Sequence, residues 1–372
     1  MMPKTIVCVV GARPNFMKMA PIIRQLLLAK DRVVPYLVHT GQHYDQSMKD
    51  TFFRQLGIPE PDRDLGVGSG SHAVQTANVM IRFEPVLDEV KPIAVLVVGD
   101  VNSTVACGLV AVKKNIPVIH VEAGLRSFDR DMPEEINRVL TDQISDLLFT
   151  TERAAQANLV REGIAPERIK FSGNVMIDSL LANCQQADSL EQILQRYGVE
   201  LPICKKRYAL LTMHRPSNVD DPEILSRLVS VITNISRKLP VVFPVHPRTQ
   251  QKLNEAGLLS ELSSQEIVLL PPVGYLEILG LMQSAQLVLT DSGGLQEETT
   301  ALGVPCVTLR ENTERPITVT EGTNTIVGSD PDKIMECVAD ILATGGKTGR
   351  VPEYWDGRAA VRIVDEILRH YL

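Results

Sequence analysis

Short runs that are apolar throughout, rather than alternately apolar and polar, recur along the whole chain, each set among longer segments of helical period. A strand apolar on both faces must be covered on both, and helices between successive strands provide that cover in a parallel sheet. Strand-like runs at 5–10, 33–39, 93–98, 118–122, 147–150 and 169–172 alternate with helical patterns, as at 74–90, 101–112 and 133–144. The pattern restarts with strands at 208–212, 241–245, 267–270, 286–290 and 306–309 and helices at 222–238, 274–282, 295–302 and 331–343. Between the two series lies 187–206, polar and less regular, and the chain ends in an amphipathic segment at 359–372. A chain of 372 residues is long enough for two cores. The expectation is an α/β protein of two Rossmann-like domains, 1–172 and 173–358, with a ligand cleft at the carboxyl ends of both sheets.

Composition narrows the partners. A net charge of −7 argues against nucleic acid, so a phosphate ligand needs a local cationic pocket. No apolar run approaches the roughly 20 residues of a membrane span. The first strand-like run follows the N-terminal Met so closely that no signal peptide is expected. Cys8, Cys107, Cys184, Cys204, Cys306 and Cys337 form no CxxC pair, which suits reduced packing residues and a cytoplasmic protein. The histidines are scattered and unaccompanied by cysteine pairs, so no metal is expected.

The polar residues gather where strands end. Gly11 to Lys18 (GARPNFMK) reads as a turn leading to a helix near 19–28. It lacks the GxGxxG pattern of a nicotinamide site, and Arg13 and Lys18 are either surface charges or ligand contacts. His39 to Asp45 (HTGQHYD) carries Gln42 and His43 just ahead of Gln46, and 66–72 is glycine-rich. Asp100 fits a helix cap as well as catalysis. Glu122 closes an apolar strand, where desolvation suits a carboxylate to acid/base work. Glu134 and Glu135 open a helix, a place the dipole favours by itself, and Arg126 and Arg138 fit ion pairs with them. In the second half His214, Arg215 and His246 follow strands. The strongest local signal is Asp291 to Glu298 (DSGGLQEE): Ser292, Gly293 and Gly294 let an anion approach a helix start, and Glu298 lies where it can reach a ribose. Arg315 follows in ENTERP.

Taken in order, GARPNFMK, HTGQHYD, HVEAGLRS, MPEEINR, MHRPSN, DSGGLQEE and ENTERP resemble the non-hydrolysing UDP-N-acetylglucosamine (UDP-GlcNAc) 2-epimerases from about residue 11 to 328. The resemblance implies the glycosyltransferase B fold, with the C-terminal helix at 359–372 returning to the first domain. It implies reversible conversion of UDP-GlcNAc to UDP-N-acetylmannosamine (UDP-ManNAc). The route is anti elimination of UDP to 2-acetamidoglucal, then re-addition, with no cofactor. By the same resemblance Asp100, Glu122, Glu134 and His214 are catalytic, Asp100 and Glu122 being the preferred pair for the proton transfers. Arg13, Lys18, Arg138, Ser292, Gly293, Gly294, Glu298 and Arg315 bind the substrate. Many bacterial members bind a second UDP-GlcNAc as activator, and Gln42, His43, Gln46, Arg215 and His246 match that site. Some members carry an arginine in the loop where this chain has 68–72. A homodimer is implied. Several motifs also resemble epimerases of UDP-2,3-diacetamido-glucuronic acid, whereas 311–324 resembles the UDP-GlcNAc type. A retaining glycosyltransferase, a hydrolysing epimerase and a silent sugar-nucleotide sensor are the rival readings; the acids at Asp100, Glu122 and Glu134, kept together with His214, argue against the sensor.

Overall fold

A computed structural model describes residues 3–41, 57–199, 207–263 and 266–372. The chain divides into two compact units, Met1–Ala182 with Glu353–Leu372, and Asn183–Pro352.

The first unit is built on strands β1 (Lys4–Val10), β2 (Val33–His39), β3 (Arg63–Asp64), β4 (Ala94–Val98), β5 (Val118–Val121), β6 (Leu147–Thr150) and β7 (Ile169–Phe171). They form one parallel sheet in the order β3-β2-β1-β4-β5-β6-β7. The second unit holds β8 (Ala209–Thr212), β9 (Val241–Pro244), β10 (Ile267–Leu270), β11 (Leu287–Thr290), β12 (Cys306–Thr308) and β13 (Asn324–Ile326). Their order is β10-β9-β8-β11-β12-β13, again all parallel. Uniformly apolar strands end up buried on both faces: all five residues of β4 and all four of β6 are buried. The edge strands β3 and β13 escape the sequence reading because they are only two and three residues long and partly polar.

Each sheet winds outward from its first strand, then crosses back and winds the other way. The reversal falls between β1 and β4 in one unit and between β8 and β11 in the other. At such a switch point the flanking connections leave on opposite faces, and ligands of open α/β sheets bind at the carboxyl ends there.

Two boundaries differ from the sequence expectation. The first helix begins at Arg13, not near residue 19, so Lys18 lies in its second turn. The units part after Ala182 rather than after 172, because the helix Val175–Asn183 is bonded into the first unit. Ser179 Oγ donates to the Met17 carbonyl, and the Asp178 carboxylate accepts the N–H groups of Ala359 and Ala360. Among the described residues, no helix is long and apolar enough to cross a membrane.

Candidate active site

In the first unit the chain leaves β4 through Gly99 and reaches Asp100. Gly99 has φ +66°, and a Cβ there would lie 3.1 Å from Lys18 Nζ, so both its backbone and its neighbour favour glycine. Asp100 does not cap the next helix. That cap position is Val101, while Asp100 Oδ2 lies 2.6 Å from Arg138 Nη1. One strand over, Glu122 follows β5 in a left-handed conformation, φ +70°, which costs a non-glycine residue about 1–3 kcal/mol. Its carboxylate meets Lys18 Nζ at 2.6 and 2.7 Å, and both side chains are almost wholly buried. Asn15, from the first turn of the helix bearing Lys18, donates to the Val98 carbonyl at 2.8 Å and locks that helix to the end of β4. Thus the switch point gathers two carboxylates, each with its own cation.

The helix Pro133–Ile144 separates two adjacent glutamates by role. Glu135 is buried and accepts the N–H groups of Ser127 and Phe128 at 3.0 and 2.9 Å, with Arg138 Nη2 at 2.8 Å. Glu134 is half-buried, and its side chain has no hydrogen-bond or ion-pair partner among the described residues. The structural duty expected of either acid therefore falls to Glu135. Arg138 bridges Asp100 and Glu135, but Arg126 pairs with Asp142 and Glu162 rather than with Glu134 or Glu135.

In the second unit Asp291, fully buried after β11, organises the segment following β8. Its Oδ2 accepts the N–H groups of His214 and Arg215 at 2.9 and 2.8 Å and the Asn218 amide at 3.1 Å, and its Oδ1 lies 3.0 Å from His214 Nδ1. Burial by itself pushes the Asp291 carboxyl up. The hydrogen bond and charge of His214 and the two backbone donors outweigh burial and hold it below the ordinary aspartate range. The His214 and His246 rings are 5.6 Å apart.

Ser292 precedes the helix Gly293–Leu302 without capping it by its side chain, which leaves the first N–H groups of that helix without a side-chain cap. A Cβ on Gly293 would sit 2.6 Å from Glu314 Oε1 and 3.2 Å from Arg315 Nη1. Arg315 is therefore packed against the turn, paired with Glu314 at 2.8 Å and Glu297 at 3.1 Å, with Arg310 on the other side of Glu314. Glu298 is buried and accepts from the Tyr275 hydroxyl at 3.1 Å. Asp100, Glu122, Glu134, Arg138 and Lys18 are thus brought together in one unit. His214, Arg215, His246, Ser292, Gly293, Gly294, Glu298 and Arg315 lie in the other. The side chain of Arg13 and all of Gln42, His43 and Gln46 lie outside the described residues. Among the described residues, no group of three or more His, Cys, Asp or Glu side chains is placed to hold a metal ion. Sequence reasoning overlooked Asp291 as an organiser. An aspartate immediately after an apolar strand was its signal.

Two parallel units, each with its polar residues at the switch point, define a Rossmann-like α/β protein of the glycosyltransferase B type. The family model for UDP-N-acetylglucosamine 2-epimerase matches residues 27–368. The chain is 47% identical over 337 residues to the UDP-N-acetylglucosamine 2-epimerase of Methanococcus maripaludis, covering 90% of each chain. It is 41% identical to the UDP-2,3-diacetamido-2,3-dideoxy-D-glucuronate 2-epimerase of Pseudomonas aeruginosa, covering 98% of this chain and 99% of that one. It resembles the crystal structure of the Methanocaldococcus jannaschii UDP-GlcNAc 2-epimerase in complex with UDP-GlcNAc and UDP. There the TM-score is 0.89, the identity 42%, and the coverage 98% of this chain and 99% of that one. The chain belongs to the UDP-N-acetylglucosamine 2-epimerase family, which are isomerases.

Proposed function

We propose that this enzyme interconverts UDP-GlcNAc and UDP-ManNAc by elimination and re-addition of UDP. The C2 proton of the sugar has no carbonyl beside it to acidify it. Loss of the C1–O bond must therefore drive its removal, and the departing diphosphate must be met by fixed positive charge. A carboxylate takes the C2 proton as UDP leaves with the C1–O electron pair, and C1=C2 of 2-acetamidoglucal forms. UDP then re-adds at C1 while a proton is delivered to the opposite face of C2. Two acid/base groups suit that sequence better than one.

The observation that supports this reading most strongly is the emergence of Asp100 and Glu122 from neighbouring strands, each against its own cation. Arg138 comes from the same helix as the unpartnered Glu134. In the second unit, the open start of Gly293–Leu302 supports the diphosphate role, and buried Glu298 suits a ribose hydroxyl. His214, steadied by Asp291, supplies a further donor toward the diphosphate in this reading. Similarity to the Pseudomonas aeruginosa enzyme keeps the diacetamido-glucuronate sugar as the second candidate substrate.

Incubation with UDP-GlcNAc in deuterium oxide, without added nicotinamide or metal, is expected to give UDP-ManNAc carrying deuterium at C2 by NMR. Absence of exchange with the wild-type protein on both this nucleotide and UDP-2,3-diacetamido-glucuronic acid would remove the epimerase reading. Parallel incubation with the diacetamido-glucuronate nucleotide decides the substrate: faster turnover there replaces UDP-GlcNAc. Glu122→Gln is expected to abolish exchange and still bind UDP. Unchanged turnover in that variant would mean that Glu122 carries no proton.

A further inference from the structure

The polar face of the helix Pro133–Ile144 continues past Glu134 and Arg138 to Asp142, at the same four-residue spacing. This last acid meets no solvent: the side chains of Asp142 and His120 are both 0% exposed. The His120 ring, in β5, is held at both ends. Nδ1 lies 2.7 Å from Asp142 Oδ1, and Nε2 lies 2.8 Å from the carbonyl oxygen of Gly99. Asp142 Oδ2 accepts the Gly124 N–H at 3.0 Å and lies 2.7 Å from Arg126 Nη2. Arg126 in turn reaches Glu162 through two bonds, 2.8 and 2.6 Å. Gly99 is the residue before Asp100, and Gly124 is two beyond Glu122. One buried carboxylate therefore ties together both strand-end loops and the helix that carries Glu134 and Arg138.

We propose that His120 and Asp142 are positioning residues for proton transfer at C2, fixing the loops of Asp100 and Glu122 in register with the helix of Glu134 and Arg138. The inference rests on the epimerase reading. Fold stability alone does not call for these residue types. A buried ionic network is often no more stabilising than apolar side chains of the same volume, although removing one member of it is costly. Geometry does call for them. Glu122 sits in a left-handed conformation, which persists only where its surroundings over-determine it. Its flanks are fixed by the Ala123 N–H on the Phe149 carbonyl at 3.0 Å and the Gly124 N–H on Asp142.

Three variants of the full chain test this. Asp142→Ala removes the tie. His120→Asn keeps a donor toward Asp142 and gives up the bond to Gly99. Asp142→Asn keeps an oxygen for the Gly124 N–H and Arg126 and turns an amide N–H toward the ring. Circular dichroism, calorimetric UDP binding, kcat, KM and C2 deuterium exchange are measured for each. Asp142→Ala and His120→Asn are expected to fold and bind UDP as the wild type does. Their kcat and exchange should fall together by on the order of 10²-fold, the cost of about 1 Å of misplacement, with KM little changed. Asp142→Asn is expected to keep most of the rate. Unchanged kcat in both disruptive variants, or loss of UDP affinity in step with kcat, overturns the proposal. So does loss of fold in both, or an Asp142→Asn protein as slow as Asp142→Ala. If only Asp142→Ala fails to fold, His120→Asn decides by the same readouts. A wild-type protein that shows no exchange with either candidate nucleotide refutes the epimerase reading itself; an active wild type beside unaffected variants refutes this inference alone.

Discussion

At the scale of single residues, the two units use buried carboxylates in different ways. Asp291 is wholly enclosed, yet the hydrogen bond and charge of His214 and the backbone N–H groups of His214 and Arg215 hold its carboxyl below the ordinary aspartate range despite burial. A carboxyl depressed in the folded state contributes stability that is present above its unfolded pKa, about 3.9, and is lost as pH falls through the folded value. His214→Ala removes the leading opponents of burial, so the Asp291 carboxyl should rise and its contribution should vanish at higher pH. Denaturant midpoints followed into the acid range should show the variant losing stability earlier than the wild type. Coincident acid limbs would mean that His214 does not hold Asp291. This pairing was only half legible in the sequence. A histidine and an arginine after one apolar run, and an aspartate after another, mark strand ends. That the two runs are neighbours, β8 beside β11, is a fact of topology that no local pattern carries. For the same reason no local pattern shows that Val101 rather than Asp100 holds the cap position of the next helix, or that Asp100 lies 2.6 Å from Arg138. Glu134 and Glu135 are alike by position, and only three-dimensional contacts assign the structural duty to Glu135.

At the scale of elements, uniformly apolar strands were readable because burial on both faces leaves no polar positions. Helices of mixed surface were harder, and Leu190–Arg196 lies inside the stretch that reads as irregular. The C-terminal helix Ala359–Tyr371 was legible from its apolar stripe, but its start was not. Its own cap residue, Arg358, supplies no side-chain bond. Asp178, distant in sequence, takes the first two N–H groups at 3.1 and 2.7 Å. Burial raises the Asp178 carboxyl above the ordinary range, and those two N–H groups only partly offset it. Asp178→Ala is therefore expected to cost about 1–2 kcal/mol, the usual worth of an N-cap. Asp178→Asn should cost less at neutral pH, since it keeps one acceptor and no longer buries a charge. The sign of the pH dependence follows from the raised carboxyl: the wild type's advantage over Asp178→Asn is fully present below the unfolded pKa and shrinks as pH rises through the folded value. Urea denaturation at neutral and acid pH measures both. An Asp178→Ala midpoint equal to that of the wild type would show that the helix start is satisfied by other groups.

At the scale of the whole molecule, the two units differ in how the chain makes them. The second is one uninterrupted stretch, Asn183–Pro352, with an apolar core of its own and the glycine-led helix start within it. The first needs both chain ends. Ile363, Val364 and Ile367 are buried in the C-terminal helix, which packs against Arg13–Leu28, and the Trp355 indole donates to the Thr151 carbonyl at 3.2 Å. Leaving those side chains exposed costs about 1.5–3 kcal/mol each, a large share of the 5–15 kcal/mol that holds a domain folded. A chain ending at residue 352 should therefore keep the second unit and lose cooperative unfolding in the first. Residues 183–352 expressed alone should fold and bind UDP, because His214, the start of Gly293–Leu302 and Glu298 lie in that stretch. They should catalyse no C2 exchange, because Asp100, Glu122 and Glu134 are all elsewhere. Circular dichroism melts and calorimetry with UDP test both halves of this expectation. A folded 183–352 fragment with no affinity for UDP would move the nucleotide seat out of the second unit. An unfolded fragment would show that its core is insufficient without the first.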